Sequence, residues 1–268
     1  MKVLKHITAG LLHLEVLGRV PDTAGEQKRR GGRSAPTSMA QQFYNDKCSW
    51  RELELTIAEN FSSLDLVLTY TYRDEYLPAD KRAGDVFFQK HVRKVREARR
   101  RRGGELRYVY VTEGFHAKRA DDLFGSDGAM EDRRVHHHAV INATDVDDLE
   151  ELRSLWPYGE VRAEKLDVHY YRELAKYLTK EAREFGRPKP GQRTWKGSRN
   201  LRKYQVEYTE IPDSLTLSPP AGAVDYEQFG EKNPYGFADS LGARYLIFPE
   251  RCREEYTYNQ PRKKRIPV

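Results

Sequence analysis

The sequence predicts an α+β fold, because short runs dense in Val, Leu, Thr and Tyr alternate with runs of helical apolar spacing, and Gly and Pro separate the two kinds. The firmest strand is LDLVLTYTY at 64–72. Pro78 and Asp80 break that pattern. DVFFQKHVRKVREARRRR at 85–102 then sets Phe88, Val92, Val95 and Arg99 at helical spacing, with seven Lys and Arg side chains from Arg93 to Arg102. Gly103 and Gly104 end this basic helix, and LRYVYVTE at 106–113 reads as a second strand. Beyond a loop rich in Gly, Asp and Lys at 114–132, RVHHHAVIN at 134–142 reads as a short third strand. Thr144 is placed to cap a helix over DVDDLEELRSLW, whose Asp145, Asp147 and Asp148 suit the positive end of the helix dipole. Pro157 and Gly159 stop it, 160–168 predicts a charge-interrupted strand, and YYRELAKYLTKEARE at 170–184 predicts a last helix before the Gly186-Arg187-Pro188 turn.

The 268 residues are 38% apolar and 33% charged, enough for one substantial core or two small ones, which excludes a disordered chain. Forty-seven Lys and Arg against 41 Asp and Glu give a net charge of +6, which suits a polyanionic partner without demonstrating one. The two cysteines, Cys48 and Cys252, stand in no CxxC or Cys/His cluster, so neither a disulfide scaffold nor structural zinc is expected. Lys5, His6, His13 and Glu15 interrupt the mildly apolar start, and no run of about 18 apolar residues occurs; the expectation is a cytoplasmic protein with no membrane partner. Residues 21–42 lack apolar periodicity and read as a flexible basic arm within an N-terminal extension, 1–59. The main domain is expected at 60–204. A C-terminal extension, 205–268, holds an irregular stretch at 218–236, a late strand at 241–248 and the basic tail PRKKRIPV.

Two constellations carry chemistry. Residues i and i+2 of a strand share a face, so His136 and His138 point together while His137 points away. Two imidazoles with one carboxylate form a three-ligand site with open positions, and Glu113, at the end of a neighbouring strand, is the natural third ligand. The alternative is a set of histidines satisfied by hydrogen bonds at a sheet surface; the flanking Val135, Ala139, Val140 and Ile141 argue against a tag-like run. On the last helix, Tyr177 and Lys180 are three apart, and Lys176 and Lys180 four apart, which puts a phenol and ammonium groups on one face. A phenol attacking phosphorus needs a bound metal to polarise the phosphate and a cation to offset charge on its oxygens. Tyr170, seven residues earlier, is either a second phenol of the site or core packing.

In order and spacing, the strand LVLTYTY at 66–72, the His136-His137-His138 run and Tyr177-Leu178-Thr179-Lys180 resemble the HUH endonucleases, specifically the rolling-circle replication initiators of small phages and plasmids, including those of filamentous and microviral phages. The resemblance covers about residues 60–185, and WKGSRNLRK at 195–203 is similar to a stretch that follows the catalytic helix in phage-type members. It implies a central antiparallel sheet with flanking helices, related in topology to RNA-recognition (ferredoxin-like) domains. The implied activity is Mg2+- or Mn2+-dependent nicking of single-stranded origin DNA, with a tyrosine left on the 5′ phosphate, a 3′ hydroxyl freed for a polymerase, and the reverse reaction joining ends. Tyr177 would be the nucleophile, His136 and His138 the metal ligands with Glu113, and Lys180 the phosphate- or metal-assisting group. Two-tyrosine members carry a second tyrosine four residues before the nucleophile, where this chain has Glu173, so a one-tyrosine mechanism is expected. No Walker A sequence is present, which leaves unwinding to a host helicase. Arg93, Lys94, Arg96, Arg199, Arg202 and Lys203 are candidate backbone contacts and Trp195 or Tyr72 a base-stacking surface, the alternatives being a solvated basic face and a tryptophan that closes the core. A nucleic-acid-binding protein with a degenerate site, and a relaxase or transposase of the same chemistry, are the competing readings.

Overall fold

A computed structural model describes residues 2–19, 39–114, 134–144, 147–180, 193–212, 214–231 and 240–249. The architecture is α+β, with two antiparallel five-stranded sheets and flanking helices. The chain divides into two compact units, 1–36 with 204–268 and 37–203.

The larger unit holds β3 (Leu66–Tyr70), β4 (Tyr108–Glu113), β5 (His136–Ile141), β6 (Val161–Lys165) and the two-residue β7 (Lys196–Gly197), in the order β6-β3-β5-β4-β7. Its helices are α1 (Met39–Asn60), α2 (Lys81–Arg101), α3 (Asp148–Ser154) and α4 (Tyr171–Leu178). Opposite residues of an antiparallel pair share a face. The pairs Tyr70↔His137↔Thr112 and Leu68↔Ala139↔Tyr110 therefore line one side of the sheet, and Thr69↔His138↔Val111 and His136↔Glu113 the other. On the first side, Phe88, Val92 and Val95 of α2 and Leu152 of α3 pack with Leu68, Tyr70, Tyr110 and Trp156 into the main core. Tyr70 meets Phe88, His91 and Trp156 edge-on at centroid distances of 5.1–5.2 Å, the arrangement the ring quadrupoles favour. The second side faces α4, against which α1 packs.

Local chemistry sets the ends of α2. Asp80 caps it by accepting a hydrogen bond from the Ala83 N–H at 2.7 Å, Arg99, Arg100 and Arg101 crowd its negative end, and Gly103 leaves it at φ +77°. Arg99 continues the apolar stripe but carries a charge. Fully buried, it donates to the Asn142 carbonyl at 2.6 Å and to Asp148 at 3.1 Å, with Glu151 at 3.6 Å. Arg99→Leu leaves the buried Asp148 without its guanidinium, and a loss of about 3–5 kcal/mol in urea unfolding is expected; an unchanged midpoint would show that Thr144 alone satisfies that carboxylate. Thr144 does not cap α3 as expected: its N–H and hydroxyl both donate to Asp148, and the N-cap position is Asp147, which makes no side-chain cap bond.

The smaller unit is a sheet of order β8-β1-β2-β10-β9, made of β1 (Lys2–Ala9), β2 (Leu12–Arg19), β8 (Gln205–Ile211), β9 (Ala223–Glu231) and β10 (Ser240–Ile247). A two-residue loop with Gly10 at φ +57° joins the first two strands. Leu17, Leu217 and Ala243, with Leu4, Ile211, Leu215 and Tyr226, form its small core.

These strands correct the expected division of the chain, since 1–19 and 205–247 contribute to a single sheet rather than to separate extensions, and residues 39–59 belong with the unit that contains the histidine strand. The expected arm at 21–42 overlaps α1 from Met39, its other residues lying outside the described set, and the stretch at 218–236, expected to be irregular, contains β9. The late strand is present as β10. The basic tail lies outside the described residues. Among the described residues, no helix is long and apolar enough to cross a membrane.

Candidate functional site

The last rung of the β4–β5 ladder is Glu113↔His136, and the next residue on the same face of β5 is His138. Their ligand atoms lie within 4.8 Å of one another. His136 Nε2 is 3.2 Å and His138 Nε2 3.8 Å from Glu113 Oε2, and the two imidazole rings stand at 90°. The protons follow from the partners. His136 Nδ1 is 2.9 Å from the Arg134 carbonyl, which only accepts, so Nδ1 carries a hydrogen, and Nε2 faces the carboxylate and donates to it when the imidazole is protonated. His138 is braced from the neighbouring strand, with Thr69 Oγ1 3.1 Å from its Nδ1.

This cluster can hold a divalent ion. Glu113 is buried, and its Oε1 has no hydrogen-bond partner among the described residues. An orphaned carboxylate oxygen away from water is costly, and a cation between Glu113 and the two imidazoles supplies what it lacks. The outer bonds from Arg134 and Thr69 are of the kind that fix ligand imidazoles on a metal.

Electrostatics are consistent with that role. Burial alone would raise the Glu113 carboxyl, but the His136 hydrogen bond and the Lys180 and His136 charges hold it below the usual carboxylate range. Burial works to lower His136, yet its bonds to Glu113 and to the Arg134 carbonyl lift it above the ordinary imidazole value. Burial pushes His138 down to about 4, against the pull of Glu113, which leaves it neutral near pH 7. A metal and a proton compete for His136 Nε2, so metal affinity should climb as pH rises through the elevated His136 value and then level off. Glu113→Gln should weaken Mn2+ binding, measured calorimetrically, by at least the roughly 10–100-fold that loss of an outer-shell partner costs; an unchanged affinity would remove Glu113 from the ligand set.

Helix α4 brings the phenol. Tyr171, Ala175 and Leu178 form its buried stripe, and the Tyr171 hydroxyl donates to the Phe61 carbonyl at the end of α1, which fixes the rotation of the helix. Tyr177 then lies with its oxygen 3.2 Å from His138 Nε2 and its ring edge-on to that imidazole, centroids 5.0 Å apart. Lys180 follows the Thr179 C-cap. Its ammonium sits 3.7 Å from the Tyr177 ring centroid and 3.4 Å from Glu113 Oε2. Five expected site residues, Glu113, His136, His138, Tyr177 and Lys180, thus meet at one place. Lys176 does not join them; it lies over the Trp50 ring of α1 at 5.1 Å.

Tyr170 stands at the N-cap of α4, exposed, and seven residues of helix put it about 10 Å along the axis from Tyr177. Glu173 is exposed. Tyr72, considered for base stacking, is buried in the main core. Arg93, Lys94 and Arg96 are exposed on α2, and Trp195 is half-buried. Arg96 and Arg199, joined by Arg100, Arg193 and Lys196, line a groove of about 760 Å3. Arg202 is exposed but tied to the end of α1, its backbone N–H donating to Asn60 and its side chain to the Glu59 carbonyl; Lys203 is exposed.

Sequence reasoning missed Thr69, the Arg134 carbonyl and the contacts of His137. Strand register decides the first and the third, while the Arg134 carbonyl is a local contact two residues before His136. No family model, no curated protein and no solved structure matches the chain.

Proposed function

We propose that the protein is a metal-dependent nuclease of the HUH type that nicks single-stranded DNA through a covalent 5′-phosphotyrosine link and rejoins ends, as a rolling-circle initiator does. The observation that carries this reading is the Tyr177 oxygen 3.2 Å from a metal-competent imidazole, beside a lysine that also reaches the third ligand. A phenol, an ammonium group and a two-histidine, one-carboxylate cluster have no shared structural need to converge. The strand order supports it too: β3-α2-β4-β5-α3-β6, with β6-β3-β5-β4 side by side, is compatible with the split βαβ arrangement of ferredoxin-like and RNA-recognition-like domains.

In this reading His136, His138 and Glu113 hold Mg2+ or Mn2+, and the mixed imidazole and carboxylate donors favour Mn2+. The ion's contribution is to polarise the scissile phosphate. Tyr177 supplies the nucleophile: its oxygen bonds to phosphorus, the bond from phosphorus to the 3′ oxygen breaks, the phenol proton leaves to water and the 3′ oxygen takes one up. Lys180 offsets negative charge on the phosphoryl oxygens and holds the phenol ring in place. The same residues serve the reverse step, in which a 3′ hydroxyl attacks the phosphotyrosine and the ends are joined. Arg93, Lys94, Arg96, Arg199 and Lys203 offer exposed cations for DNA flanking the cleaved phosphate, those of α2 on the side of the sheet opposite the cluster.

The test is a scan of labelled single-stranded oligonucleotides from the replicon that encodes the protein, with Mn2+ or Mg2+, for an adduct that survives denaturation. An adduct that EDTA prevents is expected. Salt-sensitive binding without any adduct would make the chain a nucleic-acid-binding protein with an inactive site. The cut sequence then separates an initiator from a relaxase or transposase, whose chemistry is the same.

A further inference from the structure

Directly behind the cluster, on the opposite side of the same two strands, lies a second set of polar side chains that the reaction does not use. His137 is completely buried between the two ligand histidines, in the aromatic core formed by Phe88, Tyr110 and Trp156. Both its ring nitrogens are engaged: Nδ1 is 2.9 Å from Thr112 Oγ1 and Nε2 is 2.7 Å from the Tyr72 hydroxyl. The Thr112 hydroxyl is also 2.5 Å from Asp85 of α2, and the other oxygen of Asp85 pairs with Lys196 of β7.

With His137 held neutral by its burial, the hydrogen-bond directions follow from the partners. The Asp85 carboxylate only accepts, so the Thr112 hydroxyl donates to it and the Thr112 oxygen must accept from His137 Nδ1–H. His137 Nε2 is then the acceptor, and the Tyr72 hydroxyl donates its one hydrogen there rather than to the Gly84 carbonyl at 3.4 Å. The result is a one-way chain from Tyr72 through His137 and Thr112 to Asp85, anchored by the Lys196 ammonium.

Its position in the ladder gives it a use. Thr112↔His137 is the rung next to Glu113↔His136, and Glu113↔His136 is where β4 and β5 part. Strand ends fray, and the ligand rung is the end. We propose that the Asp85–Thr112–His137 chain is a positioning clamp: it ties the carboxylate-bearing end of β4 to the imidazole-bearing end of β5 and to helix α2, and so holds Glu113 in register with His136 and His138 for metal binding. The proposal rests on the reading of Glu113, His136 and His138 as metal ligands. It assigns a task to the middle histidine, to Thr112 and to Asp85, none of which touches the ion or the substrate.

Thr112→Val keeps the shape and β-branching of residue 112 and deletes the clamp hydroxyl. Mn2+ binding to the full-length protein by calorimetry should weaken about tenfold or more, the range found when support behind a ligand is removed. Without added metal, backbone amides at 111–113 and 136–138 should exchange faster. Thr112→Ser should restore both readouts. Val95→Ala, a core truncation on the same side of the sheet, controls for lost stability and should leave Mn2+ affinity near that of the wild type. Wild-type affinity and exchange in Thr112→Val would overturn the clamp, as would an equal loss of affinity in Val95→Ala. A wild-type protein that bound no Mn2+ would overturn the ligand assignment itself, a failure separate from that of the clamp alone.

Discussion

Tyr177→Phe is expected to abolish the covalent protein–DNA adduct completely while leaving Mn2+ affinity and thermal stability near those of the wild type. The phenylalanine ring keeps the edge-on contact with His138 and the Lys180 ammonium over its face, so the packing that shapes the site survives. Only the oxygen 3.2 Å from His138 Nε2 is lost. No partial activity is expected, because the oxygen is the atom that bonds to phosphorus and its removal leaves nothing to form the link. The other phenol on this stretch, Tyr170, is about 10 Å away along the helix axis and cannot substitute without a shift of two turns. Gel retardation under denaturing conditions reads the adduct, and mass spectrometry of the linked peptide identifies the residue. An adduct that persists in Tyr177→Phe would place the nucleophile elsewhere, with Tyr170 the first candidate.

A steep loss of stability in mild acid is expected as well, and it does not depend on the catalytic reading. Burial pushes His91 down to about 4, with the carbonyl of Leu155 opposing and Lys94 assisting, and it holds His138 at about 4. His137 is held well below the ordinary value, by burial first and by the neighbouring imidazoles second. All three are neutral in the fold. Once unfolded they take up protons near pH 6.5, so as pH falls from about 6.5 toward about 4 the unfolded chain binds up to three more protons than the native one. Each proton is worth about 1.4 kcal/mol per pH unit, which gives a ceiling of about 4 kcal/mol per unit across that window. His136 does not cancel this slope, since its raised value leaves it protonated in both states below pH 6.5, and its own contribution is lost only as pH rises through that raised value. Glu113, held below its usual range, adds a further loss below about pH 4.5. By pH 5 such a slope removes up to about 6 kcal/mol, a large part of the typical total of about 5–15 kcal/mol. Urea midpoints followed by tryptophan fluorescence from pH 7.5 to 5 measure it; a flat midpoint would mean that these imidazoles accept protons inside the fold.

The two units differ in how far their residues announced them. The larger unit was legible because its strands and helices carry one-sided patterns: Phe88, Val92 and Val95 at helical spacing, the β-rich run before Tyr70, the Gly103-Gly104 stop. In the smaller unit His6, His13 and Glu15 look like interruptions of an apolar run, yet they alternate with the buried Ile7, Ala9, Leu12 and Leu14 as a two-sided sheet requires, while Lys5, on the Ile7 face, stands at the less buried end of that row. Strand β9 escaped notice because its apolar residues Ala223, Val224, Tyr226 and Phe229 do not alternate strictly and follow Pro219, Pro220 and Gly222. Helix α1 escaped for a different reason. From Leu53 to Ala58 it is buried nearly all the way round, so no apolar stripe stands out.

By itself the sequence determined which groups could do chemistry: two histidines two apart on a strand, a glutamate ending another strand, and a tyrosine and lysine three apart on a helix, each fixed by the repeat of its own element. What only the tertiary structure decided was that Glu113 is the rung opposite His136, that α4 turns Tyr177 rather than Tyr170 toward His138, and that Lys180 rather than Lys176 reaches the carboxylate. Periodicity assigns a side chain to a face. Register between strands and rotation of a helix about its axis depend on contacts distant in sequence, here the β4–β5 ladder and the bond from Tyr171 to the Phe61 carbonyl, and no local pattern contains them.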